Sequence, residues 1–296
     1  MKYTALLGML CVTLACGGAT DESAPEPIEL AALVAGPGTI AAPDGIEIAY
    51  TVSGEGSPAL VFIHGWMCDQ TFWSEQVEEF SISNTVITID LPGHGLSGMD
   101  RDDWPLLAFG GDVQQVVEHL DLEDVVLIGH SMGGSTALEA ARLMPDRTLG
   151  VIAVDSLQDA DAKYDPEQFN GILAAYDKDF AGTCKKFTTS MFLENADPEL
   201  VARVTSDMCD HSPEIAIALL REFFNYEMGP ALAAVDVPVR YINAPTYPTN
   251  VEVNRTYQPD FEGVIMDGVG HFLMMEEPVE FNELLKQVVE GLESRG

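Results

Sequence analysis

The chain has 296 residues, of which 48 are acidic and 14 are basic, so its formal net charge is −34. A surface with this charge repels nucleic acid and anionic lipid head groups, and both are excluded as direct partners. The length suits one catalytic domain with a modest insertion. The acidity itself is explained equally well by work in a saline setting outside the cytoplasm and by a requirement for solubility.

The first residues are typical of a bacterial export signal. Lys2 provides a positive charge, and the apolar stretch that follows it is too short to span a bilayer comfortably. Ala15 before Cys16 resembles a lipoprotein processing site, at which the cysteine becomes the lipidated N-terminus. We therefore predict a signal peptide over 1–15 and a cell-envelope protein that contacts the membrane only through a lipid anchor on Cys16. A periplasmic or secreted protein without this anchor is the alternative.

Beyond a short tether, the chain alternates between strand and helix patterns. Residues 16–37 are small, acidic and proline-bearing, so they predict a flexible tether without a core of its own. An amphipathic pattern predicts a helix over Phe109–Leu120. Alternation of strands and helices favours an α/β fold with a mostly parallel central sheet and helices on both faces. The apolar or alternating runs that predict its strands are Ile46–Val52, Leu60–Ile63, Val86–Ile89, Val125–Ile128 and Gly150–Asp155.

The alternation stops after Asp155 and resumes at Asp236. Three segments between these residues have helical patterns and are joined by turns rich in Asp, Pro and Asn. These segments are Glu167–Tyr176, Pro198–Met208 and Pro213–Asn225. We therefore divide the folded part into a core made of 38–155 and 236–296 and a helical insertion over 156–235.

A serine stands between glycines where the Val125–Ile128 run meets the next helix. The stretch is Gly129-His130-Ser131-Met132-Gly133. The pattern Gly-x-Ser-x-Gly at a strand-to-helix turn is the nucleophile elbow, in which a strained serine presents its hydroxyl to a cleft. A glycine-rich turn that happens to contain serine is the alternative for this motif alone.

Three further motifs accompany this elbow, in the chain order expected of a hydrolase that contains one. An apolar strand ends in His64-Gly65-Trp66, a second strand runs into the glycine turn of Pro92–Ser97, and His271 lies in the glycine-flanked loop Gly268–Phe272. With Gly129–Gly133, these motifs resemble the α/β-hydrolase superfamily, in its esterase, lactonase and haloperoxidase-like branch. The resemblance runs from Thr39 to the C-terminus. It implies the α/β-hydrolase fold, with the helical insertion as a cap between the sixth and seventh strands.

The resemblance implies roles for four residues. Ser131 is the expected nucleophile and His271 its base, which must also return the proton to the leaving group. In hydrolases with this elbow, the loop after the His-Gly strand and the residue after the nucleophile supply the oxyanion-hole amides. Those amides belong to Trp66 and Met132.

The third member of the triad departs from the pattern. Most relatives place an acid just after the seventh strand, but the loop over 243–250 contains no carboxylate. Asp155, which ends an apolar strand, is the candidate that we favour, because a buried aspartate there needs a charged or hydrogen-bonded partner. Glu252 is the second candidate, and a protein without a functional acid is the third.

The sequence favours a serine hydrolase that cleaves a small or medium carboxylic ester or lactone through an acyl-enzyme, without metal or cofactor. A carbon–carbon bond hydrolase, a cofactor-free perhydrolase and a non-catalytic binding protein on the same scaffold remain as alternatives. An apolar pocket is indicated by Trp66, Phe272 and the methionines Met67, Met132, Met274 and Met275, some of which belong to the core. The sequence leaves open whether Cys184 and Cys209 form a disulfide across two neighbouring helices.

Overall fold

The computed structural model describes residues 35–293. The predicted signal peptide, Cys16 and nearly all of the predicted tether lie outside the described residues. Eight strands within the described part form one sheet. They are β1 (Gly36–Ala41), β2 (Glu47–Ser53), β3 (Ala59–Ile63), β4 (Val86–Asp90), β5 (Val125–His130), β6 (Thr148–Val154), β7 (Val239–Asn243) and β8 (Glu262–Ile265).

The strands lie in the order β1-β2-β4-β3-β5-β6-β7-β8. β2 is antiparallel to both β1 and β4, and every other neighbouring pair is parallel. β3, β4 and β5 are buried along their whole length, because a parallel sheet covered on both faces needs continuous apolar strands. Parallel β5, β6 and β7 end at one edge of the sheet, so the loops that follow them meet there.

Helices separate most of the strands. Those of the described residues are α1 (Ser74–Phe80), α2 (Leu106–His119), α3 (Met132–Leu143), α4 (Pro166–Lys178), α5 (Phe180–Ser190), α6 (Pro198–Cys209), α7 (Pro213–Asn225), α8 (Met228–Ala233), α9 (Val251–Tyr257), α10 (Leu273–Glu276) and α11 (Pro278–Glu293). Five of them, α4 to α8, come between β6 and β7 in the chain. A Cys184–Cys209 disulfide joins α5 to α6, with Cα atoms 5.8 Å apart. The predicted α/β fold is confirmed.

Some element boundaries differ from the sequence prediction. β1 begins at Gly36, so the last two residues of the predicted tether belong to the sheet. Within the predicted helical insertion, α5 and α8 were not predicted. Among residues 35–293, no helix is long and apolar enough to cross a membrane.

Candidate active site

Ser131 occupies a sharp turn between β5 and α3. Its backbone angles of φ 54° and ψ −120° lie in a region that residues with a side chain rarely adopt. The surrounding chain fixes this conformation, because the Ser131 amide donates to Val154 O at 3.0 Å and the Ser156 hydroxyl donates to Ser131 O at 2.6 Å. A Cβ at Gly133 would collide with the carbonyl oxygen of Ile63, so this position requires glycine.

Trp66 and Met132 line the same pocket as Ser131. Met132 is the first residue of α3, and the first N–H groups of a helix have no partner within it. Trp66 lies in the loop after β3, and its indole N–H donates to Ala216 O of α7 at 2.9 Å. The structure therefore places both residues beside the serine. Their role as the oxyanion hole stays a prediction.

Asp155 and His271 are in direct contact. His271 Nδ1 lies 2.5 Å from Asp155 Oδ2, and the Asp155 side chain is fully buried. The second carboxylate oxygen accepts the backbone N–H of Ala244 at 2.9 Å, so both oxygens have partners. A carboxylate at Nδ1 holds a histidine in the tautomer whose Nε2 is free to accept a proton. Both His271 and Ser131 line the pocket.

The other acid candidate lies apart from this pair. Glu252 is in the first turn of α9 and is exposed. Asn243, the last residue of β7, binds the backbone of Ser156 through its side chain. Asn243 Oδ1 accepts the Ser156 N–H at 3.1 Å, and Nδ2 donates to Ser156 O at 3.0 Å. Of the two carboxylates considered, the structure thus brings only Asp155 to His271.

Sequence reasoning missed the carboxylate that holds the histidine loop. Glu276, the last residue of α10, accepts the N–H of Gly270 and the N–H of Phe272 at 3.0–3.1 Å. His271 lies between these two residues, and its own N–H donates to Met191 O at 2.9 Å. Burial raises the pKa of Glu276, while these N–H groups favour its charged form. Three successive amides around the histidine are therefore fixed.

His130 supports the same loop from the nucleophile side. Its Nε2 donates to His271 O at 2.9 Å, and the two rings lie 4.5 Å apart between centroids. Burial, and then the neighbouring His271, hold the pKa of His130 well below its usual value, so this ring stays neutral. This contact holds the His130 side chain against the backbone of His271.

The pocket beside Ser131 is small and largely apolar, with a volume of about 70 Å³. From the core it is lined by Trp66, Met132 and Phe272, as the sequence indicated, and by Cys68, whose thiol pKa burial raises well above its usual value. From α5, α6 and α7 it is lined by Phe187, Met191, Met208, Leu220, Phe223 and Phe224. Three of the four methionines belong to the core, as the sequence analysis allowed for some of them. Met67 and Met274 are buried in the core, and Met275 packs against it, outside the pocket lining.

The sequence profile of the alpha/beta hydrolase family matches residues 60–284. The chain belongs to this family. A Haemophilus influenzae protein whose name suggests an esterase or lipase is 36% identical over 120 residues, covering 40% of this chain and 41% of that protein. A 3-oxoadipate enol-lactonase of Acinetobacter baylyi is 24% identical over 243 residues, covering 78% and 88%.

Among solved structures of α/β hydrolases, one titled Est816, an N-acyl homoserine lactone degrading enzyme, superimposes with a TM-score of 0.72. It is 26% identical, and the match covers 82% of this chain and 97% of that chain. The chain spans less than half the length of several curated relatives that it matches. These likenesses establish the fold and the family.

No group of three or more His, Cys, Asp or Glu side chains between residues 35 and 293 is arranged to hold a metal ion.

We predict that Glu276 positions His271, the expected base. Glu276→Ala frees two amides beside His271, and a displacement of about 1 Å costs on the order of 10²-fold in rate. Glu276→Gln keeps an oxygen that can accept both N–H groups, so we expect it to recover most of the loss. Steady-state kinetics with a p-nitrophenyl ester should show the change mainly in kcat. Glu277→Ala, at the exposed neighbouring position, is the matched control. Equal kcat values for Glu276→Ala and the control would show that Glu276 does not position His271.

Proposed function

We propose that the chain is a serine hydrolase that cleaves a small or medium carboxylic ester or lactone through an acyl-enzyme. The observation that carries the proposal is the constellation of Ser131, at a strained elbow, and His271, in the same pocket and 2.5 Å from the buried Asp155. The relatives named as an enol-lactonase and as an N-acyl homoserine lactone degrading enzyme support ester or lactone substrates.

In the proposed reaction, Ser131 Oγ attacks the substrate carbonyl while His271 Nε2 takes the hydroxyl proton. The carbonyl oxygen becomes an oxyanion, which the backbone amides of Trp66 and Met132 stabilise. When the tetrahedral intermediate collapses, the bond to the leaving oxygen breaks and His271 returns the proton to it. Water, deprotonated by His271, then attacks the acyl-enzyme and releases the acid. Asp155 stabilises the imidazolium at both stages.

A fluorophosphonate probe and a panel of p-nitrophenyl esters test this proposal. We expect covalent labelling of one serine and turnover of short-chain esters, both unchanged by dialysis against EDTA, because every assigned group belongs to the protein. Absence of labelling and of turnover would favour the binding-protein alternative. That alternative arose from the missing carboxylate after β7, and the position of Asp155 removes this reason for it.

We also propose that the protein is exported and anchored through Cys16. The signal-like N-terminus carries this proposal, and the Cys184–Cys209 disulfide supports an oxidising compartment. Cys16→Ser, expressed in a suitable bacterium, is expected to change a detergent-extractable protein into a soluble or unprocessed one, because the acyl chains have no attachment site. Fractionation and gel mobility measure the change. An unchanged distribution would leave an ordinary signal peptide.

A further inference from the structure

The pocket beside Ser131 contains no fixed charge among the described residues that line it. Its three polar side chains are Ser131, His130 and His271. Of these, His130 donates through Nε2 to His271 O, and His271 contacts Asp155 through Nδ1. The remaining side chains are apolar, apart from the neutral thiol of Cys68. A carboxylate brought into this pocket would lose its water and gain no cationic partner, so the pocket disfavours anionic acyl groups.

The volume of the pocket limits the size of the acyl group. About 70 Å³ is far below the roughly 300–1,000 Å³ of pockets that enclose drug-sized ligands. The acyl group stays bonded to Ser131 between the two steps, whereas the leaving group must depart. The space beside Ser131 is therefore assigned to the acyl group.

Leu220 lines this space from α7. It is 5% exposed and lines the pocket, while its neighbour Leu219 is 1% exposed and is absent from the lining. The two leucines thus share a helix and a degree of burial but face different surroundings. Shortening Leu220 enlarges the pocket, and shortening Leu219 leaves a cavity elsewhere.

We infer that the site is specific for uncharged esters or lactones with a short apolar acyl group, and that Leu220 sets the upper limit of acyl length. This inference rests on the proposed function. The inferred preference for uncharged substrates differs from repulsion of anions by the net charge of −34. Repulsion by surface charge is screened beyond about 3 Å in 1 M salt, whereas the loss of hydration inside the pocket persists.

Acyl length is tested with p-nitrophenyl acetate, butyrate and hexanoate on the wild type, Leu220→Ala and Leu219→Ala. We expect kcat/KM of the wild type to fall about tenfold or more from butyrate to hexanoate, the order expected from overpacking a filled site. For Leu220→Ala, the kcat/KM values for butyrate and hexanoate should differ by no more than roughly threefold. Leu219→Ala should keep the wild-type profile. Equal use of both esters by the wild type, or equal profiles of the two variants, would overturn the inference.

Charge is tested with the p-nitrophenyl monoester of succinate and its neutral isostere, p-nitrophenyl 4-methylpentanoate. Both are measured on the wild type and on Leu220→Ala, whose larger pocket admits them, at 0.05 M and 1 M NaCl. We expect Leu220→Ala to prefer the neutral ester by about 10²-fold at both salt concentrations, since one charged group is left unpaired. A preference that vanishes at 1 M NaCl would assign it to surface charge and overturn the inference.

Labelling distinguishes a failure of the proposed function from a failure of the inferred specificity. If the fluorophosphonate labels Ser131 and Ser131→Ala lacks ester hydrolysis, the proposed function stands whatever the substrate profiles show. Loss of acyl-length or charge discrimination in that setting overturns only the specificity. Hydrolysis that persists in Ser131→Ala overturns both.

Discussion

Ser131→Ala is expected to abolish fluorophosphonate labelling and to lower kcat for ester hydrolysis by roughly 10⁶-fold, the order found when the nucleophile of a Ser-His-Asp triad is removed. The variant has no nucleophile for the acyl-enzyme, so only the oxyanion amides and substrate binding remain to accelerate attack by water. Mass spectrometry of the labelled protein and turnover of p-nitrophenyl butyrate measure the two effects.

The fold should survive this substitution. The contacts that fix residue 131 are made by its backbone, to Val154 O and from the Ser156 hydroxyl, and alanine keeps them. We therefore expect little change in the melting temperature. Ser206→Ala, an exposed serine of α6, is the matched control and should be labelled at Ser131 like the wild type. Persistent labelling of Ser131→Ala would place the nucleophile at another residue.

Ser131 and Asp155 could be predicted as site residues because each lies at or just after the end of a predicted strand. Ser131 follows β5 and Asp155 follows β6, and parallel neighbouring strands bring their carboxyl ends together. The glycines of the elbow gave a second, independent signal, since the turn admits no Cβ at Gly133. Asp155 was favoured for a physical reason, the cost of an unpaired buried carboxylate, and the structure supplies the partner.

The supports of His271 could not be predicted, because each depends on a contact between distant segments. His130 is 141 residues from His271 in sequence, and Met191 reaches the loop from the end of α5. No local pattern signals such contacts. Glu276 is five residues from His271, but its two N–H partners become visible only when the loop and α10 are folded.

Elements that the sequence analysis missed contain residues that disfavour helices or strands. α5 contains Gly182 and several threonines, which are poor helix formers, and it is tied to α6 by the Cys184–Cys209 disulfide. α8 contains Gly229 and Pro230 within six residues. β1 contains Pro37 and two glycines, which argue against an interior strand, but β1 lies at the edge of the sheet, where proline is tolerated. In each case tertiary packing outweighs local propensity.

Asp155→Asn is expected to lower kcat by about 10⁴-fold, the cost of the equivalent change in a Ser-His-Asp protease. The asparagine oxygen can still accept the Ala244 N–H, so its amide group would point at His271 Nδ1. An N–H donor at that position favours the tautomer with the proton on Nε2, and this tautomer cannot accept the Ser131 proton. Alanine is a poorer probe, because it would leave a cavity and an unpaired N–H beside a buried strand.

Glu252→Gln is the matched control, because it neutralises the other candidate acid at an exposed position in α9. We expect it to change kcat by less than about tenfold, or roughly 1.4 kcal/mol in the activation barrier. Turnover of p-nitrophenyl butyrate, with melting temperatures as a check on folding, compares the two variants. The reverse ranking would assign the acid to Glu252. If both variants keep wild-type turnover, His271 works without a carboxylate, and the contact at 2.5 Å is structural and not part of a triad.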